Sequence, residues 1–545
     1  MKRFRSYLFF FLSIAFCLQP LSAQPLNSIF DNNSLVSFEK QVYTTDSLFH
    51  TSIRPYLITD FKKAFGYDSV LNSYRIEKYN RRSPVTGRRP PLDLLFNTDL
   101  IIISHKDYGF TLNPLFDFGY GYDFTNDRST WTNTRGFLFE GHLGKDFAFS
   151  TRFYETQSKA PLWIDNYVSL RNVMPGQGRV KPFGDDAWDY GSASGYISWS
   201  PGKFFNFQFG QGKQFWGDGY RSLILSDFSS AHPYLMFTTT FWKIKYVNLY
   251  SQLSHPDVIA SLTGGDPVYA RKFSTMHYFS FTPSKRWDIS LFESIVWKAS
   301  DSTYFRGFDV SYLNPVIFYR PVQFNLGDGD NALLGLNLRF TAAKGVALYG
   351  QFMLDEFKIN EMTSGNKWSG NKYAWQLGMK SFNLFGINNL NLQAEYNFIR
   401  PYTYSHYLLV QSYTNAKEPL AHPNGANTKE AVAIAKYNYK RLYFNLKYVW
   451  SGFGLDSAGL NFGKNIFSSY LTAPNEYGNT TGQGRYTTLN QLDFSVSFLV
   501  NPVTDMNLFL SYTYRTEKNN IIDNRYSYLS FGFRTSLRNL YTDFY

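Results

Sequence analysis

In the stretch NLNLQAEYNF, Leu390, Leu392, Ala394, Tyr396 and Phe398 point one way and Asn391, Gln393, Glu395 and Asn397 the other. Strict alternation of this kind has the period of a β-strand, whose successive side chains face opposite sides. It recurs with Leu442, Phe444, Leu446, Tyr448 and Trp450 against Asn445 and Lys447. It recurs again with Met506, Leu508, Leu510, Tyr512 and Tyr514 against Asp505, Asn507 and Ser511. About 18 such segments of roughly 8 to 12 residues follow one another from about residue 115, the length of a tilted strand that crosses a membrane.

The spacers decide between a soluble sandwich and a membrane barrel. Every second connection is a tight turn, such as GKD at 144, PGK at 201, PSKR at 283, KR at 440 and NPVT at 501, and the others are long. Short turns on one side and long loops on the other are the pattern of an outer-membrane barrel, with the long loops outside the cell. The fold class is therefore all-β: a transmembrane barrel of about 18 antiparallel strands over residues 106–545. An even strand count puts both chain ends in the periplasm, the aromatic end YTDFY (Tyr541 to Tyr545) included.

The first 23 residues read as a signal peptide: Lys2, Arg3 and Arg5, then the apolar run YLFFFLSIAFCL, then a small-residue cleavage site after Ala23. The single cysteine, Cys17, falls inside that run, so the mature chain has no disulfide framework and no thiolate metal site. After residue 23 no run of 18 apolar residues offers a membrane helix. Residues 24–105 lack the strand pattern and read as a small periplasmic helical or plug-like segment, with a basic stretch from Arg75 to Arg89. The long loops carry balanced charge, so the net charge of +12 does not mark an anionic ligand.

Chemistry concentrates in the loops. GQGKQFWGDGYRSLILSD (Gly210 to Asp227) sets Trp216 and Tyr220 beside Asp218 and Arg221. Similar mixtures occur at Tyr319, Arg320, Asp328, Asp330 and Asn331, at Arg400, Tyr402 and His406, and at His422 and Asn424. Exposed aromatic faces contact the C–H faces of sugar rings, and carboxylate, amide and guanidinium groups hydrogen-bond hydroxyls. These fourteen residues are the candidate carbohydrate-binding set; the alternative for each aromatic is a place in the interfacial girdle or in loop packing. GDGDN (Gly327 to Asn331) lacks the spacing of a calcium loop, and the eight histidines show no metal-ligand pairing, so no metal or cofactor is expected. Ser226 lies beside Asp227 but in no G-x-S-x-G elbow, which points away from an enzyme.

QFWGDGYRSLILSDFSSAHPYL, YLNPVIFYRPVQFNLGDGDNALLGLNL, YGQFMLDEF, EYNFIRPYTYSH and PLAHPNGAN, in this order, resemble the Wzi family of capsule-assembly outer-membrane proteins over roughly residues 50 to 450. The resemblance implies an 18-stranded barrel with a periplasmic helical part, acting as a lectin that holds capsular polysaccharide on the surface of a Gram-negative cell. It also takes in a gliding-motility branch of RemB-like surface proteins. The partners expected are outer-membrane lipid and surface polysaccharide, with polysaccharide-export or gliding machinery beside them; nothing points to nucleic acid. A gliding-motility anchor or adhesin, and a diffusion porin, stay open as alternatives.

Overall fold

The computed structural model describes residues 26–28, 32–44, 48–65, 91–261, 267–300, 306–318, 329–356, 358–535 and 539–545. The expected signal peptide and the basic stretch 75–89 lie outside these residues. The alternating segments form β1 (Tyr108–Asp123), β2 (Arg128–Leu143), β3 (Phe147–Lys159), β4 (Ala187–Trp199), β5 (Phe205–Gly212) and β6 (His232–Phe241). They continue as β7 (Ile244–Ser261), β8 (Pro267–Ser284), β9 (Trp287–Lys298), β10 (Asn331–Ala343), β11 (Val346–Glu356) and β12 (Lys372–Phe382). The last are β13 (Leu390–Ile399), β14 (Thr428–Tyr439), β15 (Leu442–Leu455), β16 (Arg485–Asn501), β17 (Met506–Lys518) and β18 (Asp523–Arg534). Each pairs antiparallel with its neighbour in sequence, and β18 returns to β1 from Tyr528↔Asp123 to Arg534↔Asp117, closing an 18-strand barrel.

Closure leaves no edge with unpaired backbone groups, the condition for β-structure in lipid. The faces are assigned by the same alternation. Leu446, Tyr448, Leu508, Leu510 and Phe531 lie exposed on the outer wall, whereas Gln376, Asn397, Glu430 and Gln491 are buried on the inner one. Apolar outside and polar inside is the reverse of a soluble sandwich. Among the described residues no helix is long and apolar enough to cross a membrane.

Two details depart from the sequence expectation. β7 and β8 run to 18 residues each, longer than a membrane crossing requires. On the long-loop side, the connections at 124–127 and 519–522 are themselves only four residues long.

The N-terminal segment packs into the tight-turn mouth through α1 (Asn32–Thr44), α2 (Ile58–Phe65) and α3 (Pro91–Phe96). Phe38, Val42, Phe49, Tyr56 and Phe61 give it a small core of its own. Polar contacts tie it to the turns: Lys40 Nζ donates to Asn389 Oδ1 at 2.7 Å, Lys380 Nζ pairs with Glu39 at 2.7 Å and Lys245 Nζ with Asp60 at 2.9 Å. Ile53 and Arg54 reach further in and pair as a short strand with Trp216 and Phe215.

The aromatic end does not stay at the tight-turn mouth. β18 ends there, but residues 539–545 double back into the lumen, where Phe544 packs on Phe228 at 5.0 Å and Tyr545 on Phe453 at 4.6 Å. Burial of these rings and the pairing of Asp543 described below draw the segment inward, into the barrel.

Candidate functional site

The loop between β5 and β6, residues 213–231, turns into the barrel and fills its centre. Leu223, Ile224 and Leu225 are completely buried, in one cluster with Trp216, Met236, Leu249, Met276, Phe292, Leu333, Met353 and Tyr404 from the wall and from other loops. Gly217 makes the inward turn possible: its φ is +140°, and a Cβ there would lie 2.3 Å from Gln351 Nε2.

This placement overturns the expectation that Trp216, Asp218, Tyr220 and Arg221 form an exposed surface. The Trp216 ring packs against Tyr278 at 5.1 Å and Phe292 at 5.9 Å, with no exposure. Asp218 accepts from Asn337 Nδ2 at 3.1 Å and from the Tyr43 hydroxyl at 3.3 Å. Tyr220 donates from its hydroxyl to Asp543 at 2.7 Å. Arg221 forks onto Glu430, Nε at 3.0 Å and an Nη at 3.1 Å, and reaches Asp543 Oδ1 at 3.2 Å. Lys447 completes the knot, 2.8 Å from Asp543 and 3.2 Å from Asp493. Burial alone would raise the Asp543 carboxyl, but Arg221 and Lys447 outweigh it and hold it well below the usual carboxylate range.

The other predicted residues divide. His422 and Asn424 join the same knot: His422 Nε2 lies 2.8 Å from Glu430, and Asn424 Oδ1 accepts the Tyr545 amide at 2.9 Å. Burial pushes the His422 imidazole down despite Glu430. Tyr402 is buried and donates to the Asn461 carbonyl at 3.0 Å. His406 is buried against Tyr407, and burial lowers its pKa to about 3, so it is neutral. Asp330 holds Arg306 at 3.0 Å and the Tyr312 hydroxyl at 2.7 Å, while Asn331 donates to the Gln411 carbonyl at 2.9 Å. Arg400, half-buried, donates to the Trp368 carbonyl at 3.2 Å. Tyr319, Arg320 and Asp328 lie outside the described residues.

Glu418, in the buried loops, titrates in the physiological range. Glu418 accepts backbone amides from Gly176 at 2.6 Å and Ser230 at 2.9 Å, joining three loops. Burial pushes its carboxyl up to about 7, against those amides, Lys213 and Arg171. A folded value raised above the unfolded one favours the protonated form, so this contribution is complete below about pH 4.5 and is lost as pH rises through about 7. Melting of the purified protein should show stability falling by on the order of 3 kcal/mol between pH 5 and 8 from this group, and Glu418→Gln should remove that part of the slope.

What the loops leave exposed is a different set of rings. On the face built by residues 358–371, 400–427 and 456–484, Tyr407 and Tyr477 are exposed, and Trp368 and Tyr470 half-exposed. Trp368 is held edge-on by Glu476, which accepts its indole N–H at 3.2 Å, and Lys358 sits 4.4 Å from its ring centroid. Tyr470 lies over Lys372 at 4.6 Å, and Ser469 Oγ donates to the Tyr407 carbonyl at 3.1 Å. Glu356, between Lys372 at 3.7 Å and His406 at 3.9 Å, adds a carboxylate beside Tyr470. Rings pinned by side chains, with carboxylates and ammonium groups alongside, are the components that stack on and hydrogen-bond a sugar. The sequence signal for Trp368 was its setting in SGNKWSGNK, a run with no apolar neighbour to bury it with.

No family model matches the sequence, and no curated protein does either. Among solved structures, the chain is similar to Wzi of Escherichia coli, described as an outer-membrane protein involved in group 1 capsule assembly and a carbohydrate-binding β-barrel. The TM-score is 0.57 at 15% identity, over 95% of this chain and 100% of that one. OprD of Pseudomonas aeruginosa follows with a TM-score of 0.42 at 11% identity, over 78% and 94% of the two chains. OccAB2 of Acinetobacter baumannii gives 0.42 at 9%, over 78% and 97%. By fold, this chain is a closed 18-strand antiparallel β-barrel similar to that of Wzi.

Proposed function

We propose that the chain is a non-catalytic lectin of the outer membrane that binds and retains polysaccharide, capsular polysaccharide in particular, at the cell surface. In this reading the tight turns and the N-terminal segment face the periplasm, and the long loops face outward. The observation that carries it is the division of labour within the loops: their inner residues fill the lumen with an apolar plug, and their outer residues present Trp368, Tyr407, Tyr470 and Tyr477 to solvent. A barrel packed across its centre is poorly suited to diffusion, whereas a fixed aromatic face suits a bulky polymer that stays outside. The carbohydrate binding described for Wzi supports the same reading.

The double substitution Trp368→Ala with Tyr470→Ala tests it. Each stacking contact contributes on the order of 1 kcal/mol by analogy with aromatic pairs, so affinity for the polysaccharide should fall roughly tenfold or more. Polysaccharide extracted from the producing strain is titrated against purified wild type and variant, and cell-bound polysaccharide is measured in parallel. Both should drop while heat-modifiable gel mobility, the mark of a closed barrel, is kept. Undiminished binding would remove the loop face from the function. Steady open-channel conductance of the wild type in planar bilayers would favour a diffusion porin instead.

A further inference from the structure

The outer wall carries a polar patch on β7, β8 and β9. On β8, Met276 and Tyr278 point into the lumen, in the cluster with Trp216, so His277 between them points out. Its ladder partners, Asn248 of β7 and Glu293 of β9, share that face. All three side chains are buried, although they stand at the depth of the apolar band. Asn248 lies four residues past Ile244 and Glu293 six past Trp287, counted from the tight turns, the level at which β17 exposes Leu510 and Tyr512.

Part of the loop after β9, residues 306–318, lies over this wall, and hydroxyl groups of the wall meet its carbonyls. The Tyr246 hydroxyl donates to the Pro315 carbonyl at 2.6 Å, the Tyr250 hydroxyl to the Leu313 carbonyl at 3.1 Å, and Thr275 Oγ1 to the Tyr312 carbonyl at 3.2 Å. The Trp297 indole N–H donates to the Gly307 carbonyl at 3.2 Å, and its ring packs on Phe308 at 5.3 Å and Tyr312 at 4.8 Å. Amides find acceptors too: Phe318 donates to Glu293 Oε2 at 2.6 Å and Val316 to Asn314 Oδ1 at 3.1 Å. Arg306 pins the upper end, pairing with Asp309 at 2.8 Å and with Asp330, one residue before β10, at 3.0 Å. Away from the wall the segment presents Val310, Leu313, Val316 and Phe318, all exposed.

Irregular backbone is tolerated at hydrocarbon depth only where protein satisfies its polar groups, a demand that water never makes of a loop. Here the carbonyls turn to the wall and four apolar side chains turn from it, carrying the apolar outer surface across the polar patch. We propose that residues 310–318 form a strap immersed in the bilayer, with Val310, Leu313, Val316 and Phe318 contacting lipid acyl chains. The strap lies outside the lumen and does not depend on what the loop face binds.

Cys17 is the only cysteine, so in a Cys17→Ser background a single nitroxide label reports depth. The full chain is placed in phosphatidylcholine vesicles with the label at Val316→Cys, at Leu510→Cys on the outer wall, or at Ile521→Cys, exposed at the 519–522 connection. Electron paramagnetic resonance reads collision with oxygen, which concentrates in the bilayer, and with a water-soluble nickel chelate. The label at 316 should match the one at 510, and the chelate should reach it several-fold less than it reaches 521. Tyr246→Phe with Tyr250→Phe, which removes two hydroxyls and no ladder bond, should raise chelate access at 316 several-fold while heat-modifiable mobility persists. Thr275→Val stands in if that variant does not fold. Chelate access at 316 equal to that at 521 would overturn the proposal and mark a loop in water. So would a 316 label shielded from both reagents, with a spectrum that sharpens when labelled chain is diluted with unlabelled chain, the mark of a second copy on this face. Unchanged depth in a folded hydroxyl variant would overturn the seam.

Discussion

Arg221→Ala should unlock the plug while leaving the barrel closed. The guanidinium is buried and joins β14, through Glu430, to the inward-folded end, through Asp543, and its backbone amide donates to Glu395 of β13 at 3.1 Å. Removing it takes the forked guanidinium from Glu430, which keeps His422 and the amide and hydroxyl groups around it. Breaking a buried pair from one side costs roughly 3–5 kcal/mol, because the surviving charge stays out of water. None of these bonds belongs to the strand ladder, so heat-modifiable mobility should persist. Two readouts should change: channel openings in planar bilayers, and protease cleavage within residues 213–231. Arg221→Lys should fall between, since a point charge cannot fork onto Glu430 and reach Asp543 together. A variant that stays closed and protected would mean that the apolar cluster alone holds the plug.

The wall of this barrel could be read from the chain because each strand declares its two faces locally. Leu390, Leu392 and Phe398 needed no partner to be placed outside, and Asn391, Glu395 and Asn397 are buried inside as the alternation predicts. The destination of the long loops is a different kind of information. Arg221 meets Glu395, Glu430 and Asp543 at separations of 174, 209 and 322 residues, and no local period encodes such meetings. A mixture of tryptophan, tyrosine, aspartate and arginine suits a sugar surface and a sealed ionic knot equally well. One cue did distinguish them: Leu223, Ile224 and Leu225 stand together in SLILS, and three consecutive aliphatic residues in a loop argue for burial. The exposed rings went unnoticed for the converse reason. Trp368, Tyr470 and Tyr477 are scattered through polar, glycine-containing loops and come together only when two loops pack on one another.

Trp216→Ala separates packing from recognition at the most buried ring of the plug. Its indole is enclosed by Tyr278 and Phe292, its carbonyl accepts from Ser222 Oγ at 2.6 Å and Gln351 Nε2 at 3.0 Å, and its backbone pairs with Ile53 of the N-terminal segment. Truncating a fully buried tryptophan costs about 3–5 kcal/mol, the lost transfer energy plus the cavity left behind. The plug and the N-terminal segment should therefore loosen together, seen as faster hydrogen exchange at residues 48–57 and 213–231 and a lower first thermal transition. Trp216→Phe should cost under about 1.5 kcal/mol, since it keeps most of the ring packing and the indole N–H it deletes has no acceptor among the described residues. Affinity for polysaccharide, measured on purified protein whose loop face remains ordered, should change little in either variant. If Trp216→Phe binds polysaccharide several-fold more weakly with its thermal transition unmoved, the ring is contacting the ligand in a conformation where the plug has opened. The packed lumen would then be a resting state rather than the working one.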